Sequence, residues 1–499
     1  MRPFGVSAQA RATPTKTALV FDGDRLTFAE FDALANQAAH TLLDRGLSSG
    51  DRLAIALRNR PEFYVMSHGA ARLGIDVVPV SWRYKADEVR YMMEDSHARL
   101  IVCEQDAKDS VAGLRTVRAG EELDRALRAA PSTPPPGSRD PAPVWMRVYT
   151  SGTTGYPKAV DRAKPDVETS SASALAMAQF WGFAGEDDVH IACGPLYHSA
   201  PFSFSHQALY LGQTVVLTPD HFDAEQCLRL IQDERATWSH MVPIHFIRIL
   251  ALDEAVRSQY DLSSLRRVLH SAAPCPPDVK RRIMEVFPPG VVYEIYGATE
   301  GMGTFISPEE WARKPGSVGR AAMGLTLKIL DDNGTELPPG EVGLIYMSPM
   351  PGNAFSYENA PEKTAAAYRD GLFTVNDMGY LDDDGYLYLT DRKADMIITG
   401  GSNVYPAEVE NVLYRHPAVK DAAVFGVPDP EWGESVKAVV ELISGVSEAA
   451  LIEYCRDNLA HYKCPRSIDI VDELPRELNG KIRKRNLRDR YWASEQSRI

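Results

Sequence analysis

Tyr149-Thr150-Ser151-Gly152-Thr153-Thr154-Gly155-Tyr156-Pro157-Lys158 is the stretch on which the reading of this chain turns. Small hydroxyl residues are interleaved with glycines, and a lysine closes the run. Glycines let a backbone bend until its N–H groups face an anion; hydroxyls add donors, and Lys158 adds positive charge. The stretch reads as a phosphate loop. Strand-like Trp145-Met146-Arg147-Val148 leads into it, so the loop is expected at a strand end rather than on a bare surface turn. Its spacing is not that of a Walker A motif.

Three further clusters follow. In Tyr296-Gly297-Ala298-Thr299-Glu300-Gly301, a hydroxyl stands beside a carboxylate after the strand-like Val291–Ile295. Such a pair, in what reads as a glycine turn, can hold a phosphate oxygen and its magnesium, a hard cation that prefers oxygen ligands. Asp377-Met378-Gly379-Tyr380 precedes Asp391-Arg392-Lys393 and Gly400-Gly401-Ser402-Asn403. A carboxylate such as Asp377 can accept both ribose hydroxyls of a nucleotide, and Arg392 can support ribose or phosphate. Last comes Leu474-Pro475-Arg476-Glu477-Leu478-Asn479-Gly480-Lys481-Ile482, where Lys481 on a glycine turn could reach into a cleft.

Around these clusters the chain alternates. Leu26 to Gly46 reads as a helix, with Thr27 as N-cap, Glu30 three residues on and Gly46 past its end. Arg52–Leu57 and Val77–Val80 read as strands, with a helix over Phe63–Leu73 between them, a pattern of parallel α/β architecture. The proline-rich segment 131–143 reads as an irregular linker. From Gly316 to Leu389, short β runs separated by Asp-Asn-Gly, Pro-Pro-Gly and Asp-Asp-Gly turns predict an antiparallel subdomain. A smaller α/β pattern returns from Asn403.

At 499 residues the chain is too long for one ordinary core. It carries 68 acidic against 54 basic side chains, a formal charge of −14. That sign argues against broad binding to nucleic acid or anionic lipid. Cys103, Cys193, Cys227, Cys275, Cys455 and Cys464 have neither CxxC nor zinc-finger spacing and read as thiols of a reducing compartment. No apolar run reaches the roughly 18–20 residues of a bilayer span, and no secretory leader is evident. A cytoplasmic protein without integral membrane contact is expected.

The four clusters, in this order and at these separations, resemble the adenylate-forming superfamily of acyl-CoA synthetases, peptide-synthetase adenylation domains and firefly-type luciferases. The similarity runs from about Leu26 to Leu487. It implies a large N-terminal domain of α/β subdomains plus a β subdomain, here 1–391. A hinge over 392–394 (Lys393, Ala394) and a small mobile α+β C-terminal domain over 395–499 would follow. It implies two half-reactions: a carboxylic acid and ATP give acyl-AMP and pyrophosphate, then a thiol such as coenzyme A takes the acyl group after the small domain rotates.

Carried over by resemblance, Thr150, Ser151, Gly152, Thr153, Thr154, Gly155 and Lys158 would hold the β,γ-phosphates. Thr299 would contact the α-phosphate and Glu300 the Mg2+ ion. Ser271-Ala272-Ala273 would line the adenine, with Tyr296 stacking on it beside Gly297. Asp377 and Arg392 would take the ribose, and Lys481 would bridge carboxylate and α-phosphate during adenylation. His198 would gate an acyl pocket that includes Tyr197, Met241 and Met302. Gly400 and Gly401 would face pantetheine, where a missing side chain leaves room for a tunnel. Three positions depart from the family pattern: Ala159 and Asn376 stand where glycine is common, and Ala394 stands where many relatives carry Asp or Lys at the pivot.

Met241-Val242-Pro243-Ile244-His245-Phe246 and Ser271–Pro276 are similar to synthetases for long-chain and bulky polycyclic acids. The resemblance therefore implies an acid–CoA ligase for a long-chain, steroid-like or diterpenoid acid, in lipid, terpenoid or secondary metabolism. A ligase that loads a carrier protein's phosphopantetheine is the first alternative. A non-catalytic adenylate-binding protein is the second, and intact Lys158, Glu300, Asp377, Arg392 and Lys481 count against it. A homodimer is compatible with the resemblance.

Overall fold

The computed structural model describes residues 3–107, 109–139, 143–150, 157–219, 221–392, 395–399, 402–429, 431–477, 481–482 and 484–492, with the backbone alone at 391, 392 and 485. Two compact units account for these residues: Met1–His240 with Tyr260–Val268 and Gly352–Thr364, and Met241–Gln259 with Leu269–Pro351 and Ala365–Ile499.

The first unit contains a four-stranded parallel sheet. Asp76–Pro79, Arg52–Ala56, Leu100–Cys103 and Thr116–Arg118 lie side by side in that order. The parallel reading is met because helices fill the crossovers, among them Pro61–Leu73 and Ala86–Ser96. The predicted helix after Leu26 spans Phe28–Asp44 and opens with the expected capping box: Glu30 N donates to Thr27 Oγ1, and Thr27 N donates to Glu30 Oε2. Other parallel strands, Thr17–Phe21, Thr214–Leu217 and Val189–Ala192, are followed in sheet order by Trp238–Met241. Among the described residues, 131–143 hold no helix or strand.

A buried aromatic stack fills the space beside these strands. Trp238 lies 3.7 Å from Phe183 and 3.8 Å from His190, ring to ring, and its Nε1 donates to Gln213 Oε1. His190, His206 and His240 are all buried. Loss of hydration pushes their pKa values down to about 3, 4 and 4. They are neutral at physiological pH.

The second unit carries the predicted antiparallel region. Tyr368–Arg369, Leu372–Phe373, Gly343–Met347, Asp377–Leu381 and Leu387–Arg392 form a sheet joined by Leu327–Leu330. The same unit holds the small α/β segment seen from Asn403 onward. Val419–Asp429 and Gly433–Leu442 pair as a long antiparallel ribbon, with Ser467–Val471 added in parallel. Helices Pro406–Tyr414 and Glu448–Asn458 pack on it over a core of Val409, Leu413, Val424, Val440, Leu451 and Ile468. No helix among the described residues is long and apolar enough to cross a membrane.

Candidate active site

The strand before the phosphate loop is Val148–Thr150, not the expected Trp145–Val148. Met146 makes only an isolated bridge with Val77, and the strand instead runs into the loop sequence, where it has a pairing partner. Val148–Thr150 pairs antiparallel with Lys158–Arg162, which sets Thr150 directly across from Lys158. The first and last of the residues assigned to the phosphates thus stand side by side. Ser151, Gly152, Thr153, Thr154 and Gly155 lie outside the described residues. Ala159, in place of glycine, is fully buried opposite Tyr149, so the strand accommodates its methyl.

Lys158 Nζ lies 3.3 Å from Asp95 Oδ1, and Tyr149 OH donates to Asp95 Oδ2 at 2.9 Å. The ammonium also stands 5.7 Å from the centre of the Tyr91 ring, whose hydroxyl donates to Pro157 O at 2.8 Å. Interaction with the Tyr91 hydroxyl, then with the Asp95 carboxylate, outweighs partial burial and raises the Lys158 pKa. The lysine is a fixed cation. Sequence reasoning missed Tyr91 and Asp95. Their spacing of four on helix Ala86–Ser96, which puts both on one face, was the available signal.

In the same unit, His198 occupies the N-cap position of helix Ser199–Tyr210, its ring 4.5 Å from that of Tyr197. Phe202 on that helix is buried.

The second unit gathers the nucleotide-assigned residues most tightly. Strands Val292–Ala298 and Gly301–Ile306 form a hairpin in which Ala298 pairs with Gly301. Thr299-Glu300 is therefore its two-residue loop. The expected glycine turn is corrected in detail, because neither Gly297 nor Gly301 has positive φ. Their missing side chains serve close packing. A Cβ on Gly297 would come within 2.8 Å of Gly301 O, and one on Gly301 within 2.6 Å of Phe373 Cζ. Glu300 is 6% exposed, so this carboxylate is held in the fold rather than spread into solvent.

Tyr296 OH donates to Asp377 Oδ2 at 2.9 Å, joining the residues assigned to adenine and ribose. Asp377 in turn is the register partner of Arg392 across the strands Asp377–Leu381 and Leu387–Arg392. Asn376, where glycine is common, adopts φ 64°. Asparagine is among the non-glycine residues that best tolerate that left-handed backbone, so the turn is kept. Ala272 also sits at positive φ, 75°, beyond the strand Arg267–His270, a conformation that costs roughly 1–2 kcal/mol for an alanine. Strain of this kind collects at ligand-binding loops.

Under this loop lies a second feature absent from the sequence reading. Glu294, two residues before Tyr296, is paired with buried Lys280 at 2.6 Å, and His270 Nε2 is 3.5 Å away. Burial pushes the Glu294 pKa up, while Lys280 pulls against it. Met241 is fully buried, and Met302 pairs with Gly297 across the hairpin.

Lys481 is half-buried, and its carbonyl accepts from Glu477 N at 2.8 Å. Lys393, Ala394, Gly400 and Gly401 lie outside the described residues, as does the Arg392 side chain. Glu300 with Thr299 is the pair suited to Mg2+, an ion that keeps several waters and takes one or two carboxylates plus phosphate oxygens. Among the described residues no group of three or more His, Cys, Asp or Glu could hold a metal by itself.

Two family models cover most of the chain: AMP-binding enzyme over residues 6–355, and AMP-binding enzyme C-terminal domain over residues 408–481. The chain belongs to the AMP-binding enzyme family. It is 32% identical to the fatty acid–[acyl-carrier-protein] ligase ScoC of Streptomyces coeruleorubidus, over 99% of this chain and 97% of that protein. It is also 32% identical to the long-chain-fatty-acid–CoA ligase FadD13 of Mycobacterium tuberculosis, over 94% of each. The o-succinylbenzoate CoA synthetase MenE of Bacillus subtilis, solved with its acyl-adenylate OSB-AMP, superposes with TM-score 0.83 at 30% identity over 100% of this chain and 99% of that one. Its complex with ATP and magnesium ion gives the same TM-score and identity over 98% and 99%.

Proposed function

We propose that this AMP-binding enzyme is an ATP-dependent acid–CoA ligase for a bulky hydrophobic carboxylic acid. The observation that carries the reading is the Tyr296–Asp377 hydrogen bond beside the Thr299–Glu300 turn, with Arg392 in register opposite Asp377. One unit thereby offers a ring for a base, a carboxylate for a ribose, and a hydroxyl–carboxylate pair for an α-phosphate and its metal.

In the first half-reaction a carboxylate oxygen attacks the α-phosphorus of ATP. A new O–P bond forms, the α–β bridging P–O bond breaks, and pyrophosphate leaves with the electron pair. Two anions must meet, so cations fixed where charge develops reduce the barrier. Lys158 serves the β,γ-phosphates and Lys481 the carboxylate and α-phosphate. Glu300 would hold a Mg2+ ion, which would supply further charge neutralisation. In the second half-reaction the CoA thiol releases its proton to solvent and its sulfur attacks the acyl carbonyl. The C–S bond forms, and the C–O bond to AMP breaks. The small domain, taken as 395–499 beyond a 392–394 hinge, turns between the steps and brings Gly400 and Gly401 toward pantetheine.

The apolar character of Tyr197, Phe202, Met241 and Met302 supports a hydrophobic acid, and ScoC and FadD13 are both named for fatty acids. Loading of a carrier protein is the second reading, favoured by the ScoC likeness over nearly the whole chain. A panel of palmitate, ferulate and cholate, with ATP and either CoA or a holo carrier protein, tests both. Acid-dependent pyrophosphate release with acyl-CoA formation supports the first reading. Transfer to the carrier protein alone supports the second.

A further inference from the structure

Arg476, five residues before Lys481, is gripped by two residues, Asp421 and Tyr414. Its Nε and Nη2 donate to Asp421 Oδ2 and Oδ1, each at 2.5 Å, and Nη2 lies 3.0 Å from the Tyr414 hydroxyl. Tyr414 OH donates to the same Asp421 Oδ1 at 2.5 Å. The Asp421 side chain is 4% exposed and that of Arg476 17%. Asp421 belongs to the strand Val419–Asp429, and Tyr414 ends the helix Pro406–Tyr414. Arg476 is thus fixed to two core elements of the small α/β segment.

The grip is passed on through backbone pairing. Arg476 bridges Ile482, and Glu477 N donates to Lys481 O, so the described residues on either side of 478–480 are held together. Ile482 packs against the core of Phe425, Leu474 and Leu487. Beyond it, Lys484 Nζ reaches Glu410 Oε1 at 2.9 Å, and that oxygen also accepts from Val424 N. One cation fastens the chain before Lys481 and another fastens it after.

Stability alone does not account for this network, because replacing a buried ion pair by packed hydrophobic groups is often neutral or stabilising. A bidentate guanidinium–carboxylate pair supplies direction instead. Its planar fork sets the orientation of the donor as well as its distance. Lys481 has a long flexible side chain, and its reach depends on where its backbone is held.

We propose that Arg476, held by Asp421 and Tyr414, is a positioning residue for Lys481 in the adenylation half-reaction. The inference rests on the role given to Lys481 above.

The test uses the full chain with Arg476→Met, Tyr414→Phe, Lys481→Ala and the Arg476→Met/Lys481→Ala double variant. The acid of the panel that turns over fastest, and its acyl-AMP, serve as probes. Pyrophosphate release and thioester formation from supplied acyl-AMP are measured separately. Arg476→Met is expected to lower the adenylation kcat by about tenfold or more. Its KM for ATP and its thioester formation should stay within about twofold. Tyr414→Phe, the milder change, should slow adenylation by about threefold with the same selectivity. The double variant should be no slower in adenylation than Lys481→Ala alone, since the two residues act through one group.

Equal loss in both half-reactions, or additive losses in the double variant, would overturn the inference by making Arg476 merely structural. Where Arg476→Met does not fold, Tyr414→Phe decides, and unchanged adenylation in that variant overturns the proposal. Normal adenylation by Lys481→Ala would remove the role of Lys481 itself, and the inference with it.

Discussion

Tyr296 and Asp377 are joined by a hydrogen bond of 2.9 Å, although 81 residues separate them in the chain. The tyrosine comes from the hairpin that carries Thr299 and Glu300, the aspartate from the strand that faces Arg392. A hydrogen bond to a carboxylate contributes about 1.5–3 kcal/mol. Tyr296→Phe should therefore raise KM for ATP by about tenfold or more while leaving kcat within about twofold, since ring and carboxylate both remain. Initial-rate measurements at varied ATP check this. An unchanged KM would show that the Tyr296–Asp377 bond plays no part in nucleotide binding.

Lys158 is a fixed cation beside the loop, held by Tyr91 and Asp95. Lys158→Ala should reduce acid-dependent pyrophosphate release by about 10²–10³, the typical loss of one charge-stabilising contact. The half-reaction that starts from supplied acyl-AMP has no β,γ-phosphates and should be spared. Stopped assays of the two half-reactions read the difference, and equal loss in both would contradict the phosphate role.

Glu300 is buried at the hairpin turn next to Thr299. Glu300→Gln keeps the shape and removes the charge. It should shift the Mg2+ concentration for half-maximal adenylation upward by about tenfold. A magnesium titration of pyrophosphate release is the check, and an unshifted curve would place the metal elsewhere.

His190, His206 and His240 should make the fold sensitive to acid. Their pKa values lie near 3, 4 and 4 in the native chain, below the ordinary value of 6.5. The unfolded chain thus binds protons that the native one does not. Their stabilising effect is complete above about pH 6.5 and is lost as pH falls toward about 4. The urea midpoint should be level above about pH 6.5 and fall steeply between about pH 6.5 and 4. A midpoint that holds steady down to pH 4.5 would contradict neutral burial of these rings.

Much of this was legible in local patterns. The Thr27–Glu30 pair announced its helix because a capping box is complete within four residues. The alternation around Arg52 and Val77 announced parallel strands for the same reason of local periodicity. The glycines of 296–301 were harder. They looked like turn formers, yet the structure uses them for close approach to Phe373 and to neighbouring backbone, which no local pattern reveals. Asp95 and Lys158 are 63 residues apart, and Asp421 and Arg476 are 55 apart. Such partners are set by how strands stack, so single-sequence reading names the lysine and the turn but not what grips them.

The decisive measurement is AMP and pyrophosphate formation with palmitate, ferulate or cholate, ATP, Mg2+ and CoA. The proposed activity predicts that at least one acid gives stoichiometric pyrophosphate, AMP and acyl-CoA, and that omitting CoA stops the reaction at acyl-AMP. Bound ATP that is never cleaved, whatever acid is present, would contradict it and leave a nucleotide-binding protein without turnover.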